Sequence, residues 1–333
     1  MKIEDLEAQF GGQACTAAGP VRLVLDDGYS WLRDSSVDLI LTDPPFNIAR
    51  DTNFHTYEKN TINSYRFDKD KGWDSHSPEG FRALLADWSK EFFRVLRPGG
   101  SFAVFCADEY LSDLISALKS AGLKPRRTLT WRKPNAVPVN RKHMMMSACE
   151  YIVVGVKGSK SVFNVDIDVS GESRLTDQEI VAISDKASTV AEQGIRKALG
   201  ALGHRPSPSE IQETVEQALK LMSGEVARRS INIYSEDGKS AELCVPNYVA
   251  FNSKSGNRLH PTEKPIPLLV YLTELFSNQG DLVLDPFAGS GSMGEAALLT
   301  RRQALLVEKD QEFFLRGSAR ILSVASHQDN LLI

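Results

Sequence analysis

Residues 282–294 read LVLDPFAGSGSMG, an apolar run that ends in Asp285-Pro286-Phe287 and passes through Ala288-Gly289-Ser290-Gly291 into Ser292-Met293-Gly294. The apolar run suits a strand buried on both faces. The glycines suit a tight turn into a helix whose first N–H groups face a ligand. Gly289, Gly291 and Gly294 formally satisfy G-x-G-x-x-G, and Glu308 stands 19 residues after Gly289 at the end of another apolar run. That spacing is what dinucleotide binding requires, with the acid on a ribose hydroxyl, so an NAD-dependent oxidoreductase is the natural competing reading of this stretch. Against it, the sequence offers no His–carboxylate or Tyr–Lys arrangement for hydride transfer.

A second apolar run, LILTDPPFNI at residues 39–48, delivers Asp43, Pro44, Pro45 and Phe46 to a strand end, where α/β proteins place their ligands. The prolines stiffen the backbone and remove N–H donors. A nucleobase amino group is a poor nucleophile, because its lone pair is delocalised into the ring. Two acceptors return that density to nitrogen: the Asp43 carboxylate takes one N–H, the Pro44 carbonyl takes the other, and Phe46 stacks on the base. Taken alone, the tetrapeptide is equally a turn at the end of a strand.

Two further segments extend the pattern. Asn257 to Pro265 reads NRLHPTEKP immediately before a helical stretch, and Asp26 and Asp27 close the run VRLVL ahead of VDLI at residues 37–40. With D-P-P-F and D-P-F-A-G-S-G, these resemble the motifs of the S-adenosylmethionine-dependent, amino-methylating DNA methyltransferases. The resemblance implies a catalytic set of Asp43, Pro44, Pro45 and Phe46. It implies a cofactor site made of Asp285, Pro286, Phe287, Ala288, Gly289, Ser290 and Gly291, with Glu308 at the ribose hydroxyls and with Lys309 and Asp43 among the cofactor-binding residues. Either Asp26 or Asp27 lies near the adenine, Asp27 by spacing. His260, Thr262 and Lys264 belong to the segment at the methionine end, where Thr262 and Lys264 meet the carboxylate or Lys264 faces DNA phosphate. Asp at the first motif position is typical of members acting on adenine N6. Cytosine N4 is the alternative acceptor, and Phe46 is less common than Tyr at its position.

The order of the motifs places the catalytic strand 242 residues before the cofactor strand. The expected fold is α/β, a doubly wound, Rossmann-like methyltransferase sheet, circularly permuted, with an inserted and largely helical recognition region. Residues 1–158 form the catalytic half, 159–245 the target-recognition and dimerisation insert, and 246–333 the cofactor half, an arrangement that resembles the β group of the family. Within the insert, residues 176–203 and 207–226 carry apolar positions at helical spacing, and Ser207-Pro208-Ser209-Glu210 opens the second helix with a capping box. Their stripes suit a homodimer interface or internal packing. Elsewhere the periodicity predicts helices over 79–96, 110–121, 265–276, 290–299 and 311–324, and strands over 21–25, 37–41, 101–106, 127–131, 151–156, 281–285 and 303–308.

Composition sets the remaining bounds. The chain has 333 residues, 25% charged and 42% hydrophobic, the profile of an ordinary globular protein. Its opening lacks a signal-peptide core, and no run approaches the ~20 apolar residues of a spanning helix, so a cytoplasmic protein without membrane association is expected. The four cysteines form no C-x-x-C pair, and none follows a proline, which disfavours a disulfide framework, a zinc site and cytosine-C5 chemistry. No metal is expected. Net charge is -4, yet Lys124, Arg126, Arg127, Arg132, Lys133, Arg141 and Lys142 occur with no acid among them, around Trp131. This run reads as a phosphate-contacting strip for double-stranded DNA or as a solvated surface. The polar, aromatic-bearing stretch 47–80 suits a loop that closes over DNA as the target base leaves the duplex. A cognate restriction endonuclease completes the partners that the resemblance admits.

Overall fold

The computed structural model describes residues 12–47, 76–134, 148–164, 231–234, 241–244, 247–252 and 263–330. The chain divides into two compact units, one of residues 1–165 with 247–333 and the other of residues 166–246. In chain order the elements are β1 (Cys15–Ala18), β2 (Val21–Leu25), β3 (Val37–Thr42), α1 (Pro78–Val95), β4 (Leu96–Cys106), α2 (Leu111–Ser120), β5 (Lys124–Arg132) and β6 (Cys149–Val156). There follow β7 (Ile231–Tyr234), β8 (Ala241–Cys244), β9 (Tyr248–Ala250), α3 (Ile266–Phe276), β10 (Leu282–Asp285), α4 (Ser292–Leu299), β11 (Gln303–Glu308) and α5 (Gln311–Asn330). Among the described residues, no helix is long and apolar enough to cross a membrane.

The larger unit is built on a nine-stranded sheet in the order β1-β2-β11-β10-β3-β4-β6-β5-β9. Strands β2, β11, β10, β3 and β4 run parallel, each paired to the next. Their residues are buried on both faces, which explains the unbroken Val and Leu runs at these positions. From β10 the chain passes through α4 to β11 on one side, and from β3 through α1 to β4 on the other. Strand order therefore reverses between β10 and β3, and a crevice opens at their carboxyl ends. This is the doubly wound sheet the motifs imply, with its central strand drawn from the C-terminal part of the chain.

Local chemistry fixes the helices that flank the crevice. Pro78 begins α1, Ser77 caps it by accepting from the Gly80 N–H at 3.1 Å, and Glu79 sits in the first turn. Phe81, Leu85, Phe92 and Val95 of α1 are buried against the sheet. Helix α3 starts at Ile266, with Pro265 as the N-cap residue.

The antiparallel strand β6 lies between β4 and β5. A Cβ added at Gly155 would lie 2.8 Å from Pro125 Cα and collide with the Lys124 carbonyl, at the point where β5 bulges. Backbone cannot retreat as a flexible side chain can. Gly155→Ala is accordingly expected to destabilise the fold by roughly 1–3 kcal/mol, measured by urea denaturation.

Strands β1, β7, β8 and β9 were not anticipated. β1 and β9 are short edge strands with mixed burial, which leave little periodicity to read. β7 and β8 pair antiparallel within the second unit, on either side of a segment that contains Asp237-Gly238. An antiparallel strand pair thus follows the two stretches that the sequence reading assigned to helices. The stretches 176–203 and 207–226, and nearly all of the loop from 47 to 80, lie outside the described residues.

Candidate active site

The two motif-bearing strands end side by side. Val283 is in register with Leu39 and Leu284 with Ile40, which brings Asp285 next to the tip of β3. There Thr42 Oγ1 donates to Asp285 Oδ1 at 2.7 Å, and the Phe287 N–H donates to the same oxygen at 3.1 Å. Burial pushes the Asp285 carboxyl up to about 7, opposed by those two hydrogen bonds and reinforced by the charges of Asp43 and Glu308.

A cavity of about 880 Å³ fills the crevice. Asp43, Pro44, Pro45 and Phe46 wall one side and the turn from Asp285 to Ser290 the other, with Asp27, Lys264, Glu308 and Lys309 also at its lining. Its size is that of a pocket for a ligand of nucleoside dimensions or somewhat larger. Glu308, at the tip of β11, accepts from the Gly289 N–H at 2.7 Å and the Asp310 N–H at 2.8 Å. These bonds hold the glycine turn against β11, and burial raises the Glu308 carboxyl above its ordinary range. Trp88 of α1 meets Phe287 edge-on with ring centroids 4.8 Å apart, which adds an aromatic wall.

Gly291 departs from its expected place in the cofactor wall. It has φ 73°, and an added Cβ would lie 3.1 Å from Gly317 Cα, so its lack of a side chain serves the approach of α4 to α5. Of the two candidate acids after β2, Asp26 accepts from the Trp31 and Gln13 side chains, both at 2.9 Å, and from the Asp27 N–H at 2.7 Å. It shapes the turn. Asp27 presents an 85% exposed carboxylate at the mouth, 3.8 Å from Lys309 Nζ. His260 and Thr262 lie outside the described residues.

Four ionisable side chains from separate elements meet behind the tip of β3. Lys264, only 6% exposed, places Nζ 2.7 Å from Asp43 Oδ2 and 3.3 Å from Glu150 Oε2, and the latter is an ion pair without hydrogen-bond alignment. Lys133 pairs with the other Glu150 oxygen. The Lys264 ammonium sits 5.0 Å from the centroid of Phe46 and 5.2 Å from that of Phe105. Burial raises the Asp43 carboxyl to about 6. Lys264 pulls it down and Glu150 pushes it up. For Lys264, burial acts downward, but Asp43 and Glu150 together prevail and raise it; for Glu150, burial acts upward, but the two lysines prevail and lower it. Asp43 Oδ1 is buried without a hydrogen-bond partner among the described residues.

Asn47, just after the motif, adopts φ 57° and is buried. Its Oδ1 accepts from the His76 N–H at 2.7 Å, and its Nδ2 donates to Tyr110 Oη at 2.9 Å. Tyr110 in turn packs on Phe81 of α1 with centroids 4.6 Å apart. The turn that presents Phe46 is thereby braced on two other segments.

The described residues of the basic run differ in their surroundings. Lys124 aligns through Val156 with Ser101 at the base of β4, whereas Thr130 aligns through Tyr151 with Cys106 at its tip. Arg126 lies near the start of β5 and donates to the Ser159 carbonyl, and Arg127 stands midway along the strand, aligned through Val154 with Ala103. Arg132 is exposed at the crevice end of β5. Lys133 is committed to Glu150, and Trp131 is a core residue whose Nε1 donates to the Phe251 carbonyl. Arg141 and Lys142 lie outside the described residues. Glu150 was missed in the sequence. Its one signal there is an acid in the second position of an otherwise apolar strand, a signal that register alone makes meaningful.

Comparison with known proteins agrees with this geometry. The chain is 23% identical over 291 residues to the Type II methyltransferase M2.MboI of Moraxella bovis, covering 86% of this chain and 81% of that protein. It is 22% identical over 301 residues to the Type II methyltransferase M.HpaI of Haemophilus parainfluenzae, covering 90% and 73%. The solved structure of the PvuII DNA methyltransferase, cytosine-N4-specific, shares the fold with a TM-score of 0.56 at 14% identity, over 96% of each chain. With the DNA methylase model for N6 and N4 methyltransferases matching residues 37–316, both strand tips and the crevice between them included, the chain belongs to that family of amino-methylating DNA methyltransferases.

Proposed function

We propose that this chain transfers a methyl group from S-adenosylmethionine to the N6 amino group of adenine in double-stranded DNA, with the base turned out of the duplex into the crevice. The observation that carries the reading is Asp43 Oδ1, a buried carboxylate oxygen without a hydrogen-bond partner among the described residues, on a residue that lines the cavity one strand away from the glycine turn. A family of this kind takes its methyl group from S-adenosylmethionine. The residues suit that cofactor, because its sulfonium and ammonium groups favour a cleft lined by seven Asp and Glu residues against two lysines. The same acidity is a poor environment for the pyrophosphate of NAD. Glu308 is placed to accept from a ribose, and Phe287 with Trp88 offers flat apolar surface.

The bound cofactor supplies an electrophilic methyl carbon. Asp43 Oδ1 accepts one amino N–H, the Pro44 carbonyl accepts the other, and density shifts onto nitrogen as it attacks. Phe46 stacks on the ring and holds the nitrogen in line. As the C–N bond forms the methyl's bond to sulfur breaks, S-adenosylhomocysteine leaves as the neutral thioether, and the surplus amino proton is then lost to solvent. No enzyme nucleophile takes part. Adenine is favoured because Asp, rather than Ser, occupies the first motif position. A homodimer and a cognate restriction endonuclease in the cytoplasm are the setting this reading suggests.

The test is mass spectrometry of nucleosides from DNA of cells that express the protein. N6-methyladenine is expected. N4-methylcytosine would move the acceptor within the family, and the absence of both would refute methyl transfer to an exocyclic amine.

A further inference from the structure

Methyl transfer needs one carboxylate at the acceptor amine, yet the crevice holds Asp43 with three more buried or half-buried charges behind it: Lys264 before α3, Glu150 in β6 and Lys133 after β5. Buried ion pairs are a costly way to stabilise a fold, and apolar side chains of equal volume commonly do better. Their arrangement is also directional. Lys264 Nζ lies on Asp43 Oδ2 and leaves Oδ1 without a hydrogen-bond partner among the described residues, while Glu150 meets the same ammonium through Oε2 and Lys133 through Oε1.

The requirements on Asp43 conflict. It must be ionised to accept from the amine, and burial opposes that. It must also stay a strong acceptor, and a lysine that gave its whole charge to Asp43 would weaken Oδ1. We propose that Glu150 is a positioning residue that divides the charge of Lys264, so that Lys264 keeps Asp43 ionised while Glu150 preserves the acceptor strength of Oδ1. This inference rests on the methyl-transfer reading above and adds to it a residue outside the recognised motifs.

The groups that face Asp43 from each neighbouring element are few. Lys264 and Lys133 favour its ionised form and Glu150 opposes it. Asp285 on β10 interacts with it through charge, and the Cys106 thiol at the end of β4, pushed up to about 12, is neutral. Asp285 and Cys106 are common to every variant below, so they set the baseline and leave the differences to the network.

The sign of each change follows. Activity requires ionised Asp43, so kcat falls as pH drops through the Asp43 pKa, near 6. Lys264→Met removes the stabilising charge and is expected to move that acid limb to higher pH by about a unit or more. Glu150→Gln removes the opposing charge and leaves more of the Lys264 charge to Asp43, so the limb moves to lower pH and the plateau kcat falls severalfold. Lys133→Met leaves Glu150 a greater claim on Lys264, and the limb moves up by less than in Lys264→Met.

The experiment is kcat against pH at saturating S-adenosylmethionine and DNA, with melting temperature and cofactor affinity measured on each variant. Opposite displacements by Glu150→Gln and Lys264→Met support the proposal. Loss of activity at every pH with an unmoved limb, which a merely structural role would give, overturns it, as do displacements in one direction. Should Lys264→Met fail to fold, Glu150→Gln and Lys133→Met test the same opposition. A wild-type protein without methyl transfer refutes the function itself, whereas an active wild type with unmoved limbs refutes only the role of Glu150.

Discussion

Asp43→Ala is expected to lower kcat by on the order of a thousand-fold, the scale seen when a preorganised electrostatic partner of a transition state is removed. Affinity for S-adenosylmethionine is expected to stay close to wild type, because in the proposed mechanism the residue acts on the acceptor amine and the β10 turn and Glu308 hold the donor. The fold should survive the change. Lys264 keeps Glu150 at 3.3 Å, so its buried ammonium is not left unpaired. Single-turnover methyl transfer measured beside cofactor titration separates the two quantities. Activity comparable to wild type would remove Asp43 from the mechanism.

Glu308→Ala is expected to do the reverse. Two charge-assisted hydrogen bonds from ribose hydroxyls to this carboxylate amount to about 3 kcal/mol, which is about a hundred-fold in Kd. The variant also loses the acceptor that ties the Gly289 and Asp310 N–H groups together, so the turn loosens and the effect on binding grows. At saturating cofactor, kcat is expected to remain within a few-fold, since Glu308 is remote from the amine. Calorimetric titration with S-adenosylmethionine checks it. Unchanged affinity would place the ribose elsewhere in the crevice.

The contrast between these variants reflects what was readable along the chain. Asp43 to Phe46, Asp285 to Ser290 and Glu308 each stand at the end of an apolar run, and a run followed by a turn is a local pattern that the backbone converts directly into a strand tip. The meeting of the two tips was readable as well, since a doubly wound sheet brings together strands whose connections depart in opposite directions. What depends on pairing across the sheet was hidden. Glu150 and Lys133 come together because β5 and β6 pair antiparallel, with Trp131 opposite Glu150. The same register spreads the described part of the basic run along the length of β5, and Trp131 is buried in the core. Asn47 braces the motif through residues 29 and 63 positions away, contacts that no local pattern encodes.

The central claim is that a methyl donor on the glycine turn of β10 and an amino group on the Asp43 motif of β3 share one crevice. A crystal structure with sinefungin, which carries an amine in place of the methyl-bearing sulfonium centre, tests it most directly. The claim predicts the ribose hydroxyls on Glu308, the adenine beside Phe287, and the sinefungin amine directed at the part of the cavity lined by Asp43 and Phe46. Sinefungin bound with that amine turned away from Asp43, or bound outside the crevice, would contradict it.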